Sequence, residues 1–190
     1  MFTLHRIGNT WLHLLLLPLA LAGCFNLIAL EVQNPEFRSP GPSDLYSSVA
    51  TIHGVTIEAS GFVEDRGETV FRISLSIAQY DSAVYKPGAT VLLDRSGNVN
   101  PITDIKLVGI RDSGGGVTAT PSGNFYVIPR DGSVSMRFKC RMPIDKATVQ
   151  TVSSCLPWEL QLGAVSCYPG PRSVDLGSVK FGSASRVMYR

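Results

Sequence analysis

Regular alternation of apolar and polar side chains is the pattern that most restricts the fold of this chain. It is clearest over positions 71–77, where Phe71, Ile73, Leu75 and Ile77 alternate with Arg72, Ser74 and Ser76. The stretch from Val55 to Val63 alternates in the same way, and a polar turn sequence, Glu64 to Gly67, separates the two. Because successive side chains of a strand point to opposite faces, the pair predicts an antiparallel hairpin with one face on a core.

Several shorter segments repeat this pattern further along the chain. Asp131-Gly132 is a strong hairpin signal and predicts pairing of Asn124–Pro129 with Ser133–Arg141. Two later strands are predicted, one starting at Trp158, a candidate core anchor, and one over Val174–Phe181. Roughly eight to ten short strands without a long amphipathic helix predict an all-β fold. We expect an antiparallel β-sandwich, immunoglobulin-like or transthyretin-like, over residues 48–190.

The N-terminus carries a different signal. A polar segment of ten residues precedes an apolar run over Trp11–Ala22, which has the length of a secretory signal core. The sequence Leu21-Ala22-Gly23-Cys24 resembles the lipobox of bacterial lipoprotein precursors. The resemblance implies that residues 1–23 are a signal peptide and that the Cys24 thiol receives a diacylglyceryl group. Phe25, in place of Asp, implies transfer to the outer membrane of a diderm, facing the periplasm or the surface.

Two other interpretations of the same residues remain open. Ala20-Leu21-Ala22 is also an A-x-A pattern, which would release a soluble protein beginning at Gly23. Alternatively, Trp11–Val32 forms a long apolar stretch, enough for an uncleaved signal anchor in a bitopic protein. All three interpretations place the body of the protein outside the cytoplasm.

Prolines and a glycine mark the segment before the predicted domain. Gln33–Ser47 holds three prolines and one glycine, a composition typical of an extended linker. We therefore predict that residues 24–47 form a lipid-anchored tether. The domain behind it has a near-balanced charge, because the whole chain has 17 basic and 15 acidic side chains. Such a charge gives no reason to predict nucleic acid as a partner, so the predicted partners are the membrane, through Cys24, and an envelope protein.

The remaining cysteines predict one disulfide in an exported protein. If Cys24 carries lipid, Cys140, Cys155 and Cys167 are left, which allows one bridge and one spare thiol. Both Cys155–Cys167 and Cys140–Cys155 close short loops, and we predict the former. The chain has no C-x-x-C pair, and the part beyond the signal peptide contains His53 as its only histidine. No metal site and no cofactor are therefore predicted.

One polar strand face is a candidate binding surface. In the segment Ser133–Arg141 the side chains of Arg137, Lys139 and Arg141 point to the same face and form a ladder about 13 Å long. Such a ladder can contact anionic lipid headgroups, a glycan or an acidic partner. A solvated or edge-protecting face has the same pattern, because edge strands commonly carry Lys and Arg.

Catalytic signals are weak. No nucleophile has a base beside it in a recognisable motif, so acid–base chemistry would depend on paired carboxylates. The carboxylates considered for this role are Glu58, Glu68, Asp104 and Glu159. The sequence predicts a non-catalytic binding or structural protein of the cell envelope, within an envelope assembly. The alternatives are an exported carboxylate-dependent hydrolase and a bitopic protein that presents the same domain.

Overall fold

The predicted all-β fold is confirmed. The computed structural model describes residues 27–41, 46–64, 66–111, 125–170 and 172–187. These residues form antiparallel strands, one α-helix and a single 3₁₀ turn at Pro87–Ala89. The elements are β1 Ile28–Val32, β2 Ser48–Ile52, β3 Val55–Val63, β4 Glu68–Ile77, β5 Ser82–Tyr85, β6 Val91–Leu93, β7 Val99–Asn100, β8 Asp104–Arg111, β9 Tyr126–Pro129, β10 Ser133–Arg141, α1 Val149–Cys155, β11 Trp158–Gln161, β12 Ala164–Tyr168, β13 Arg172–Asp175 and β14 Ser178–Arg186.

The strands form two sheets that share one hydrophobic core. The large sheet has ten strands in the order β7-β6-β11-β14-β1-β3-β4-β10-β8, and β2 pairs with the first half of β3. The small sheet has four strands in the order β13-β12-β5-β9. The predicted hairpin of β3 and β4 is confirmed over the full length of both strands. The architecture is therefore sandwich-like, with buried side chains from both sheets in one cluster.

The large sheet is curled around this core. Phe71 lies on β4 and Trp158 on β11, and three strands separate these two in the sheet order. In a flat sheet the four spacings would amount to about 19 Å, since neighbouring strands lie about 4.8 Å apart. The two ring centroids are only 6.3 Å apart, and Phe181 packs on Phe71 at 4.8 Å. Trp158 is 2% exposed, so its predicted role as a core anchor is confirmed.

The structure differs from the predicted tether over residues 24–47. Strand β1 lies between β14 and β3 in the large sheet, and its residues Ile28, Ala29 and Leu30 are buried. The chain then follows β14, where the Asn34 side chain donates to the Ser178 carbonyl and accepts from the Lys180 amide. The tether prediction is therefore wrong for residues 28–34, because β1 completes the core and Asn34 is bound to β14.

Strand β1 also overlaps the end of one predicted N-terminal segment. An uncleaved anchor over Trp11–Val32 is wrong at its C-terminal end, because residues 28–32 form a sheet strand. The predicted signal peptide, the lipobox and Cys24 lie outside the described residues. Among the residues that are described, no helix is long and apolar enough to cross a membrane.

Two turns connect strands that belong to different sheets, although the sequence predicts a hairpin at one of them and an uninterrupted strand at the other. Strands β9 and β10 flank the turn at Asp131-Gly132. However, β9 pairs with β5 in the small sheet, while β10 pairs with β4 and β8 in the large sheet. The predicted hairpin of these two strands is therefore wrong. The predicted strand over Val174–Phe181 is divided in the same way at Gly177, whose φ of +65° forms the turn between β13 and β14.

The predicted Cys155–Cys167 disulfide is also not formed. Cys140, Cys155 and Cys167 are all free thiols. Cys167 faces the core from β12 of the small sheet, whereas Cys155 is the last residue of α1 and is partly exposed. Burial raises the pKa of the Cys140 thiol to about 12, and a hydrogen bond with Thr69 partly offsets that rise.

Candidate functional site

A row of polar side chains crosses the outer face of the large sheet. In the strand register, Ser60 of β3 is opposite Arg72 of β4, Arg72 is opposite Arg137 of β10, and Arg137 is opposite Lys106 of β8. Directly opposite residues of an antiparallel pair share a face, with Cβ atoms about 5 Å apart. Like charges in such positions destabilise a sheet, so this alignment of three cations opposes folding.

The two arginines are not neutralised by the protein. Within the described part of the chain, neither Arg72 nor Arg137 forms a hydrogen bond or an ion pair. The Arg72 guanidinium lies over the Phe62 ring, 6.0 Å from its centroid, within the range of a cation–π interaction. Lys106 differs, because its ammonium group is 3.5 Å from the Asp104 carboxylate.

Two cavities flank this row, and Tyr46, Phe62 and Arg72 line both of them. We refer to the two together as the arginine cleft. The first cavity has a volume of about 390 Å³ and is also lined by Ser47, Glu58, Ser60, Ser74, Val108, Ser135 and Met136. The second has a volume of about 330 Å³ and is also lined by Leu27, Glu64, Val70, Arg137 and Val187. Both volumes fall in the range of small-molecule sites, roughly 300–1,000 Å³.

The walls of the cleft contain polar atoms without partners. Two buried side-chain atoms in the described residues lack a hydrogen bond, namely the Ser47 hydroxyl oxygen and Arg137 Nε. Ser47 lines the first cavity and Arg137 lines the second. An unpaired buried polar group costs about 1–3 kcal/mol, and native proteins keep few of them. The cleft is therefore lined by two residues whose buried polar atoms the protein leaves without partners.

Several serine hydroxyl groups line the first cavity. Ser74 and Ser135 are opposite each other on β4 and β10, and their hydroxyl oxygens are 2.7 Å apart. Ser60 and Glu58 come from the neighbouring strand β3, where Glu58 is opposite Ser74. Period-two alternation places all of these side chains on the outer face. The cavity therefore offers hydroxyl groups and one carboxylate to a ligand.

The predicted basic ladder is only partly in this site. Arg137 lines the cleft, whereas Lys139 binds the Glu68 carboxylate and Arg141 is exposed at the end of β10, outside both linings. Strand β10 lies between β4 and β8, so the interpretation as an edge strand is wrong. Arg72 is on the polar face of the clearest predicted strand but is not among the predicted site residues. Its pairing with Arg137 depends on strand order, which local alternation does not reveal.

The carboxylates considered for catalysis are distributed over the sheet. Glu68 and Asp104 bind Lys139 and Lys106, and Glu159 lies on β11 opposite Lys180. Glu58 is the one member of the predicted set in the arginine cleft. The hydrolase hypothesis requires two carboxyl groups in one pocket, and each cavity of the cleft is lined by a single one, Glu58 or Glu64.

The sequence predicts no metal site. Within the described residues, no group of three His, Cys, Asp or Glu side chains is arranged to hold a metal ion. His53 lies in the turn between β2 and β3, with a φ of +46°, and its carbonyl accepts a hydrogen bond from Tyr80.

The arrangement suits recognition of an anion. Guanidinium groups present donors in a planar fork that matches carboxylate and phosphate oxygens. Arg72 and Arg137 are direct cross-strand neighbours, so one anion can contact both. Serine hydroxyls and aromatic rings beside them can bind the rest of a small organic molecule. No protein-family model and no curated protein sequence matches this chain.

Proposed function

We propose that this is a lipid-anchored protein of the cell envelope that binds an anionic ligand in the arginine cleft and does not catalyse a reaction. The observation that carries the proposal is the pair of arginines without an ion-pair partner, Arg72 and Arg137, directly opposite each other on β4 and β10. Because Arg72 and Arg137 form no ion pair, their repulsion across the ladder destabilises the sheet, and a bound anion offsets it. The predicted role within an envelope assembly is retained as part of the proposal.

The anchoring half of the proposal depends on Cys24 and its lipobox resemblance. Leu27 is three residues beyond Cys24, and three residues of chain span at most about 11 Å. Because Leu27 lines the cleft, the proposed lipid attachment point lies close to the binding site along the chain. The domain would therefore sit at the membrane surface, at the outer membrane if the organism has one.

The anchor is tested by the intact mass of the protein extracted from membranes. A product that begins at Cys24 and carries acyl mass supports lipidation, and a Cys24→Ala variant should then leave the membrane fraction. An unmodified N-terminus at Met1, or a Cys24→Ala variant that stays in the membrane, would contradict the anchor.

The anion site is tested separately with glycerol 3-phosphate as the probe. The full chain is held in an amphipathic polymer, and binding is measured by calorimetry at low ionic strength. We expect Arg137→Gln to raise the dissociation constant at least tenfold, since it removes a charge-assisted hydrogen bond. Arg141→Gln removes the same charge from the same strand outside the cleft and should change it less than twofold. Equal effects of the two variants would contradict a specific site.

A further inference from the structure

We infer that the open edge of β8 binds a second copy of this chain, so that the large sheets of two molecules join antiparallel around a twofold axis at Ile105. The inference does not depend on the ligand of the arginine cleft. Three features of β8 lead to it: its length as an open edge, the order of its charges, and the apolar side chains that it leaves partly exposed.

β8 is the longest strand with an open edge in the described part of the chain. It ends the large sheet, and among the described strands it pairs with β10 alone. β8 has eight residues, whereas β7, β9 and β13, which end the two sheets elsewhere, have two to four. An open edge presents unpaired N–H and C=O groups, so an edge of this length is a template for another strand.

The charges of β8 complement those of a second copy in one register. Asp104 and Lys106 lie on the same face, and their charged groups are 3.5 Å apart. An antiparallel pairing centred on Ile105 places Asp104 opposite the partner's Lys106, and Lys106 opposite the partner's Asp104. A pairing centred on Asp104 or on Lys106 instead places two like charges opposite each other, which destabilises a sheet. The order of the charges therefore favours the register centred on Ile105.

Two features that usually protect an edge are compatible with this register. A lysine on an edge strand repels a second copy of itself, but here Lys106 lies opposite a carboxylate. The partner's Asp104 also places a negative charge at the end of the cationic row, beyond Lys106. The β8–β10 register shifts at Val108, which forms a β-bulge. This bulge lies three residues from the proposed axis, so it limits the paired segment to residues 103–107 and does not prevent the pairing.

The inner face of β8 is incompletely covered within one molecule. Ile105 and Leu107 pack against the core but are partly exposed, whereas their neighbours on β10, Phe138 and Met136, are fully buried. In the proposed register Ile105 lies opposite the partner's Ile105, and Leu107 lies opposite the partner's Thr103. The second copy therefore covers part of the apolar surface that the open edge leaves in water.

The test is the oligomeric state of the full chain, measured by sedimentation equilibrium in a detergent that matches the solvent density. We expect a dimer. Asp104→Lys brings a second positive charge opposite the partner's Lys106, and Lys106→Asp brings a second negative charge opposite the partner's Asp104. Each should raise the dissociation constant of the dimer at least tenfold, since two cross-strand pairs change from attraction to repulsion. Asp145→Lys is the control, because it reverses the charge of an exposed residue outside β8, and it should change the constant less than twofold.

A mixture of the two β8 variants separates the register from a loss of folding. In a dimer of one Asp104→Lys chain and one Lys106→Asp chain, both opposed pairs again carry opposite charges. The mixture should therefore form a heterodimer with a dissociation constant within about threefold of that of the unaltered dimer. An unaltered chain that stays monomeric up to about 100 μM, a dimer that withstands both reversals, or a mixture that stays monomeric would overturn the inference. None of these results bears on the anion site, because neither residue lines the arginine cleft.

Discussion

Leu30 and Gly61 are cross-strand partners, and the Leu30 side chain occupies the space beside the position that a Cβ at Gly61 would take. That Cβ would lie 3.2 Å from two Leu30 side-chain atoms and 3.0 Å from a ring carbon of Phe181. Both neighbours are fully buried, so neither has much room to move. Strand β1 therefore fits into the sheet because its partner at this position is a glycine.

The first prediction concerns the contribution of β1 to stability. Leu30→Ala should lower the free energy of unfolding by about 2–5 kcal/mol, because it leaves a cavity in the core. Gly61→Ala should cost about 1–3 kcal/mol through overpacking, and less in the Leu30→Ala background, which removes the contact with Leu30 Cδ1 but keeps those with its Cβ and with Phe181. Urea unfolding of the four proteins measures this coupling. Gly109→Ala is the control, because nothing lies within 4 Å of the added methyl group. Independent effects of the two substitutions would contradict the packing of β1.

The second prediction tests the curl of the large sheet. Phe71 and Trp158 touch only because the sheet folds back on itself. A double-mutant cycle with Phe71→Leu and Trp158→Leu should give a coupling free energy of about 0.5–1.5 kcal/mol, the usual value for an aromatic pair. Chemical unfolding of the two single variants and the double variant provides it. A coupling free energy of zero would mean that the rings do not meet.

Local alternation was sufficient to predict the fold class but not the strand order. The period-two pattern over Phe71–Ile77 gives both the strand and its buried face, because burial on one face is a local property of the sequence. Asp131-Gly132 shows the limit. The turn residues were recognised, yet the chain uses them to pass between sheets, and nothing local distinguishes that from a hairpin.

Because strand order is not visible in the sequence, Arg72 is absent from the predicted site residues. Arg137 was predicted as a surface cation from its place on a polar strand face. Arg72 lies 65 positions earlier, and only the β4–β10 ladder brings the two together. The apolar residues Ile28 and Leu30 were interpreted as a continuation of the N-terminal apolar run, since hydrophobicity alone does not separate a buried strand from a membrane segment.

The third prediction is a pH dependence that arises from Tyr85. This phenol is fully buried, and its oxygen is 2.7 Å from the Thr90 hydroxyl and donates to the Leu162 carbonyl at 3.0 Å. Burial raises the pKa of Tyr85 from 10.0 to about 12, with the Thr90 hydrogen bond partly offsetting the rise. The unfolded chain therefore loses this proton first as the pH rises, so stability falls.

The stabilisation that Tyr85 provides should be complete below about pH 10 and lost by about pH 12, a change of roughly 3 kcal/mol. Urea midpoints at several pH values in this range measure it. In Tyr85→Phe the same curve should be less steep, because that variant has no phenol to ionise. Parallel curves for the two proteins would show that Tyr85 is not the responsible group.

The fourth prediction concerns the thiols. Cys140 is 2% exposed and its pKa is raised to about 12 by burial, so almost none of it is thiolate at pH 8. Iodoacetamide at that pH should modify Cys155 in the folded protein, and should reach Cys140 and Cys167 only after unfolding. Peptide mapping without reductant identifies each site. A Cys155–Cys167 bridge would instead resist alkylation in the unfolded chain until a reductant is added.

The last prediction separates a ligand site from a structural arginine pair. A side chain that holds the sheet together destabilises the protein when it is removed, whereas a side chain retained for a ligand often costs stability. Arg137→Gln removes the positive charge that repels Arg72 directly opposite. We therefore expect the free energy of unfolding to rise by about 0.2–1 kcal/mol at low salt, and the gain to shrink at high salt as screening weakens the repulsion. Lys139→Gln, on the same face of β10, breaks the contact with Glu68 and should not stabilise the protein. If Arg137→Gln instead loses stability at both salt concentrations, the arginine pair has a structural role, and the case for a ligand in the cleft loses its main support.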